Sequence, residues 1–215
     1  MVKTIVSLPE GYRGKLNVLV NDFNSVVFYR NILILLILTC FEDERLAVDI
    51  ALHLWYSVLL PAEYRPQMAS HVLQAVIELQ TRGRIPLGPT SNLGVFSATE
   101  EWVDLIQHHL GSQQRLTTRD VQAQYTKVRW QPSRADYRER QYAQLRPPHR
   151  IAFQEYRQNG HILPFGAGKA HFNAPNFSLF APDGRWLLTD ASDPLNGYEY
   201  CISSSFRVFI DVVLF

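Results

Sequence analysis

A chain of 215 residues that is 47% apolar has enough material for one sizeable core, so one domain, at most with an appendage, is expected. Charged residues make up 19% and the formal net charge is +1, which excludes a generally disordered chain and any global pull toward nucleic acid or anionic membrane. Two cysteines, Cys40 and Cys201, are too few for a disulfide framework and form no Cys-x-x-Cys pair, which points to a reducing compartment.

Met1 to Leu8 reads as the tail of a helix closed by Pro9-Glu10-Gly11, and it lacks the charged start and apolar run of a secretory signal. Leu16 to Val20 has four apolar residues in five without polar alternation, the pattern of a buried strand. Asn21, Asp22, Asn24 and Ser25 then offer N-caps for a helix from Val26 to Cys40. Arg30 and Asn31 interrupt that helix, leaving Ile32 to Leu38 as its longest apolar run. A membrane span needs about 20 residues, so a helix inside a protein core is the better reading.

Glu42, Asp43 and Glu44 open a second helix, Arg45 to Leu60, with acids where they favour the dipole. Its apolar face is broad and includes Leu46, Ile50, Leu54, Val58 and Trp55, so the Trp55 ring is expected in the core. Asp49, His53 and Ser57 line the opposite edge. A third helix, Pro66 to Gln80, stops at Gly83. A loop rich in Gly, Pro, Ser and Asn covers Gly83 to Ser97. Helices recur at Thr99 to Leu110, Thr118 to Trp130, Ser133 to Leu145 and Pro148 to Asn159, the last stopped by Gly160.

After Gly160 the composition shifts toward Pro, Gly and Asn. Phe177 to Phe180 and Arg185 to Leu188 flank Pro182-Asp183-Gly184, a hairpin signal, and Asp193 to Gly197 makes a second turn. Phe206 to Phe215 is almost wholly apolar. The organisation expected is a helix-rich α/β domain over residues 1–160, with residues 161–215 as a loop and β-hairpin extension packed on it.

Asp22 stands at the end of a strand, where a nucleotide-binding fold places the acid that holds ribose hydroxyls, and it is also a natural helix cap. The glycine-rich turn such a site requires is missing. Gly166-Ala167-Gly168-Lys169 is no phosphate loop, because Leu163 and Ala170 stand where Gly and Ser or Thr are needed. His108 and His109 are adjacent, so they point to different helix faces, and no Cys or acid stands at a ligand interval. Asp49 lies four residues before His53 and can orient its imidazole, for proton transfer or as a hydrogen-bonded structural pair. No Gly-x-Ser-x-Gly elbow accompanies it.

Charge is uneven along the chain. Arg119 to Arg150 holds eight Arg or Lys against three acids, whereas Glu42 to Glu63 holds five acids and one Arg. In the basic stretch Lys127, Arg129, Arg134, Arg138, Arg140, Arg146 and Arg150 alternate with Tyr125, Trp130, Tyr137 and Tyr142. Such a mixture can grip single-stranded nucleic acid. Interspersed acids, such as Asp136 four before Arg140, equally suit a solvated helix or an acidic protein partner.

Leu16 to Leu38 (LNVLVNDFNSVVFYRNILILLIL) and Leu52 to Leu60 (LHLWYSVLL) resemble the N-terminal domain of dynein axonemal assembly factor 3. They also resemble fungal proteins of unknown function, some of which carry a MYND zinc finger. Asp183 to Trp186 and Ser192 to Tyr198 resemble the fungal branch. The resemblance implies an incomplete Rossmann-like, methyltransferase-like α/β fold, rich in helices, with the strand ending at Asp22 as its second strand. It also implies that a first strand and a glycine turn lie upstream of Met1. A MYND finger is absent, since two cysteines cannot supply its zinc ligands.

The function this suggests is a noncatalytic, cytoplasmic protein-interaction domain without a cofactor. Its partner surface would lie on His53, Trp55 and Tyr56 and on the basic helices at Arg134 and Arg138. The alternatives are an S-adenosylmethionine-dependent methyltransferase, with Asp22 at the cofactor, and RNA binding through the basic helices.

Overall fold

The computed structural model describes residues 24–87, 91–94, 116–163, 166–181 and 184–187, with positions 9, 12, 14, 17 and 18. Helix α1, Ser25–Cys40, starts where the Asn24 side chain accepts from the amides of Val26 and Val27 at 3.0 and 3.2 Å. Its apolar residues divide between two sides. Leu33, Ile34 and Ile37 pack with Ile50, Leu54, Met68 and Val72, while Tyr29, Ile32 and Leu36 meet Ala75 and Ile85. A helix covered on two flanks has no use for a polar stripe, which explains its uniform hydrophobicity. Among the described residues no helix is long and apolar enough to cross a membrane.

Helix α2, Glu44–Tyr56, is capped by Asp43, whose carboxylate accepts from the amides of Arg45 and Leu46. Strand β1, Leu59–Pro61, follows, then helix α3, Tyr64–Arg82, which closes on Gly83 in the left-handed conformation, as the sequence pattern predicts. Strands β2, Arg84–Pro86, and β3, Asn92–Gly94, form a small hairpin inside the stretch expected as loop.

Helix α4, Thr118–Arg129, begins with a reciprocal capping box between Thr117 and Asp120. A 3₁₀ turn, Pro132–Arg134, leads into α5, Ala135–Gln144, so the helix expected from Ser133 is split at its start. Helix α6, Pro147–Asn159, ends at Gly160. Strand β4, Phe172–Pro175, then returns to pair antiparallel with β1, and a 3₁₀ turn, Phe177–Leu179, enters the core. Val58, Val121, Tyr125, Leu179, Phe180 and Trp186 form a third cluster, joining α4 to Val58 just before β1 and to residues after β4.

Three expectations need correction or restatement. Both sheets among the described residues are two-stranded and antiparallel, whereas the Rossmann-like layout calls for parallel strands. Most of the expected strand Leu16–Val20, with Asp22, lies outside the described residues; Asn17 and Val18 carry no strand pairing, and Val18 is 46% exposed. Helix α2 stops at Tyr56 although its apolar periodicity runs on to Leu60. The Val58 amide donates to the Gly160 carbonyl at 2.8 Å and the Val58 carbonyl accepts from the Asn176 amide at 3.0 Å, so partners far along the chain claim that backbone for an extended segment.

The hairpin expected around Pro182-Asp183-Gly184 survives in reduced form. Phe180 and Trp186 are bridged, and Gly184 takes φ 81° in the turn, but residues 177–179 wind into the 3₁₀ turn that the Asn176 side chain caps. The expected helices at Met1–Leu8 and Thr99–Leu110, the turn at Asp193–Gly197 and the apolar Phe206–Phe215 lie outside the described residues.

Candidate functional site

Asp49, His53 and Ser57 stand four residues apart along one edge of α2 and its end, and the structure joins them in a line. His53 Nδ1 lies 2.8 Å from Ser57 Oγ, the donor depending on the imidazole tautomer, and His53 Nε2 lies 3.6 Å from Asp49 Oδ1. Tyr64, at the start of α3, donates its hydroxyl to the other oxygen of Asp49. The sequence pairs Asp49 with His53; Ser57 and Tyr64 extend that pair into a continuous network.

The far side of the network comes from segments beyond α6. The ring of Phe172 on β4 lies 4.8 Å from the His53 ring and 4.7 Å from that of His161, so it is flanked by two imidazoles. Neither ring nitrogen of His161 has a hydrogen-bond partner among the described residues. Burial, then the nearby His53 and Lys169, hold the His161 imidazole down at about 4. Burial also lowers His53, with Asp49 pulling the other way. Burial and the hydrogen bond to Asp49 raise the Tyr64 phenol well above its ordinary value.

An acid, an imidazole and a hydroxyl in line invite comparison with a nucleophile triad. Ser57 is 0% and His53 4% exposed, and Ser57 Oγ already accepts from the Ile162 amide at 3.3 Å. No reacting carbonyl reaches such a hydroxyl. Beside the network, polar side chains from beyond β4 satisfy the end of α2. Asn176 Nδ2 donates to the carbonyls of Leu54 and Ser57 at 2.8 and 2.7 Å, with His53 O at 3.3 Å, and Ser178 Oγ lies 3.0 Å from Leu54 O. Asn176, Ser178, His161 and Phe172 carry no signal in a single sequence, because their role depends on β4 returning beside α2.

His53 is therefore inside the molecule and forms no part of its surface. Trp55, expected in the core, is 41% exposed and stacks on Tyr56 with centroids 5.6 Å apart and an interplanar angle of 16°. Tyr56 is half-buried, and its carbonyl accepts from the Tyr156 hydroxyl at 3.1 Å. The same Tyr156 oxygen lies 3.3 Å from Nη2 of the buried Arg129. One hydrogen-bonded chain thus ties the aromatic pair to α6 and α4.

On the basic helices the alternating arginines lie over aromatic rings of the same chain. The Arg134 guanidinium lies over Tyr137 at 4.4 Å, Arg138 over Trp130 at 5.3 Å, and Arg150 over Tyr142 at 5.3 Å. Arg157 is buried, lies over Trp130 and Phe153, and donates to the Arg129 carbonyl. Arg140 pairs with Asp136 at 2.7 Å on the exposed side. Among the described residues no three His, Cys, Asp or Glu side chains gather where they could hold a metal. Asp22 lies outside the described residues.

Residues 1–60 match a family described as a domain of unknown function, DUF4470. The matched stretch is under a third of the 215-residue chain and contains α1, α2 and the Asp49–His53–Ser57 line. Neither dynein assembly factors nor MYND proteins appear in these comparisons. No curated protein and no solved structure matches the chain.

Proposed function

We propose that this chain is a noncatalytic protein-interaction domain that presents the Trp55–Tyr56 pair to a partner. One observation carries the reading: on a single helix, two residues apart, a histidine is buried and a tryptophan is left at the surface. Burying a polar ring requires hydrogen bonds to offset its desolvation, and exposing a large aromatic forgoes hydrophobic stabilisation. An arrangement that accepts both holds a rigid aromatic platform outward, as partner-binding surfaces do. The sealed Ser57 hydroxyl supports a structural rather than a chemical role for the polar line beneath it.

A cytoplasmic scaffold that gathers partner proteins, of the kind the resemblance to dynein assembly factors implies, fits this reading. The methyltransferase alternative keeps its own test: heat on titrating S-adenosylmethionine into the protein would favour it over the interaction domain. For the interaction reading, a photo-reactive phenylalanine analogue is placed at position 55 and, as a control, at the exposed Ala123 on α4. A discrete protein adduct formed from position 55 in its native cells, and lost on competition with unlabelled wild-type domain, is the expected result. The same adducts from both positions would remove the assignment.

A further inference from the structure

Between α4 and α5 the chain makes an elbow whose outer surface carries Lys127, Trp130, Arg134 and Arg138. Residues 116–163 hold nine Arg or Lys, of which Arg129 and Arg157 are buried, against four acids. Of those acids, Asp120 is committed to the capping box with Thr117 and Asp136 to Arg140. Lys127 is exposed and Trp130 is 47% exposed. Arg138 is held rather than floppy, since its Nη1 donates to the Gln131 carbonyl at 2.7 Å while its Cζ lies over the Trp130 ring. We infer that this elbow docks an acidic peptide segment of a partner protein, with carboxylates on Arg138 and Lys127 and an apolar side chain against the free edge of Trp130.

Two features select that occupant. The local charge is strongly positive in a molecule whose overall net charge is only +1, so the complementary ligand is anionic. A nucleic-acid base needs an open aromatic face, yet Arg138 and Arg157 already lie 5.3 and 5.8 Å from the Trp130 centroid. Guanidinium forks fixed on an aromatic ring keep outward N–H groups for bidentate contact with carboxylate. The inference shares with the interaction-domain reading only the premise that the protein binds partners, and it uses a different set of residues.

The test is fluorescence anisotropy with a labelled peptide alternating Glu with Leu and Phe, its counterpart with Lys for Glu, and a labelled oligo-uridine. Binding of the acidic probe alone, weakening as salt rises, is expected. Lys127→Glu and Arg138→Glu should each weaken it about tenfold, a change of about 1.4 kcal/mol. Lys127 is exposed, so Lys127→Glu remains decisive if Arg138→Glu disturbs the elbow. Trp55→Ala should leave this binding intact, so failure at the elbow and failure of the Trp55 platform are read separately. Absence of binding at low salt, indifference to both charge reversals, or oligo-uridine binding as tightly as the acidic peptide would each overturn the assignment.

Discussion

Replacing Asn176 with alanine tests the claim that residues far along the chain terminate α2. The side-chain amide has two hydrogens and three carbonyls within reach, so Ser57 O, at 2.7 Å, takes one and Leu54 O, with His53 O, shares the other. His53 O keeps the Ser57 amide at 2.8 Å and Leu54 O keeps Ser178 Oγ, so truncation strips Ser57 O most completely. On the acceptor side, the Ser178 amide loses Asn176 Oδ1. One orphaned buried carbonyl and one orphaned amide, at roughly 1–3 kcal/mol each, predict a loss of about 2–6 kcal/mol, a large share of a domain's stability. Ser178→Ala removes a hydroxyl whose carbonyl has a second donor, and should cost about 1 kcal/mol. Asn176→Asp keeps the shape but turns a carboxylate toward carbonyl oxygens, and should destabilise more than alanine at neutral pH. Urea denaturation followed by far-ultraviolet circular dichroism measures all three. If Asn176→Ala lies within about 0.5 kcal/mol of wild type, the side-chain cap does not hold the end of α2.

Three further outcomes follow from burial and backbone geometry. Trp55→Ala should cost about 1–2 kcal/mol, whereas Leu54→Ala, fully buried one residue earlier, should cost about 2–5 kcal/mol; a larger thermal shift for Trp55→Ala than for Leu54→Ala would contradict the exposure of Trp55. Gly160→Ala should be much worse than Gly83→Ala in the same assay. Both glycines have positive φ, but a Cβ at 160 would sit 2.5 Å from Val58 Cγ2 while one at 83 meets open space. For His161 the folded imidazole titrates at about 4 against an ordinary 6.5, so the unfolded chain takes up the proton first as pH falls. Its contribution to stability is complete above pH 6.5 and declines toward pH 4, by about 1–2 kcal/mol at pH 5 after allowing for partial exposure. His161→Leu should flatten urea midpoints between pH 7 and pH 5, and an unchanged slope would place the titrating group elsewhere.

Helix positions were legible because their signals are local. Asn24, Asp43 and Gly83 act within a turn of the residues they cap, and the apolar spacing of α2 is visible without any partner. The sheets were not, because β1 and β2 are three residues long, too short for a period of two to show, and β1 sits inside an apolar run that also reads as helix. Its partner β4 adjoins it only after α3 to α6 have folded back, with Leu59 opposite Pro175. The site divides the same way. Asp49, His53 and Ser57 were readable as an edge at intervals of four, but whether His53 on that edge faced water or Phe172 depended on β4.

The match to DUF4470 ends at Leu60, in the middle of β1, and this position bears on what the folding unit is. At the end of α2 the carbonyls of Leu54 and Ser57 take donors from beyond the matched residues, Asn176 for both and Ser178 for Leu54. β1 has its hydrogen-bonded partner at Phe172–Pro175, and Val58 packs with Val121, Tyr125 and Leu179. α1 is covered on its second flank by Ala75 and Ile85. Beyond the surface that α1 and α2 bury against each other, their buried faces are completed by residues outside the matched stretch, and Phe172 and Ile162 cover the His53–Ser57 end of the polar line while the Asp49 side chain stays half exposed. The physical unit carrying the Trp55 platform is therefore larger than the stretch the family describes, and a variant at Asn176 or Gly160 should disturb that platform although neither residue lies near it in sequence.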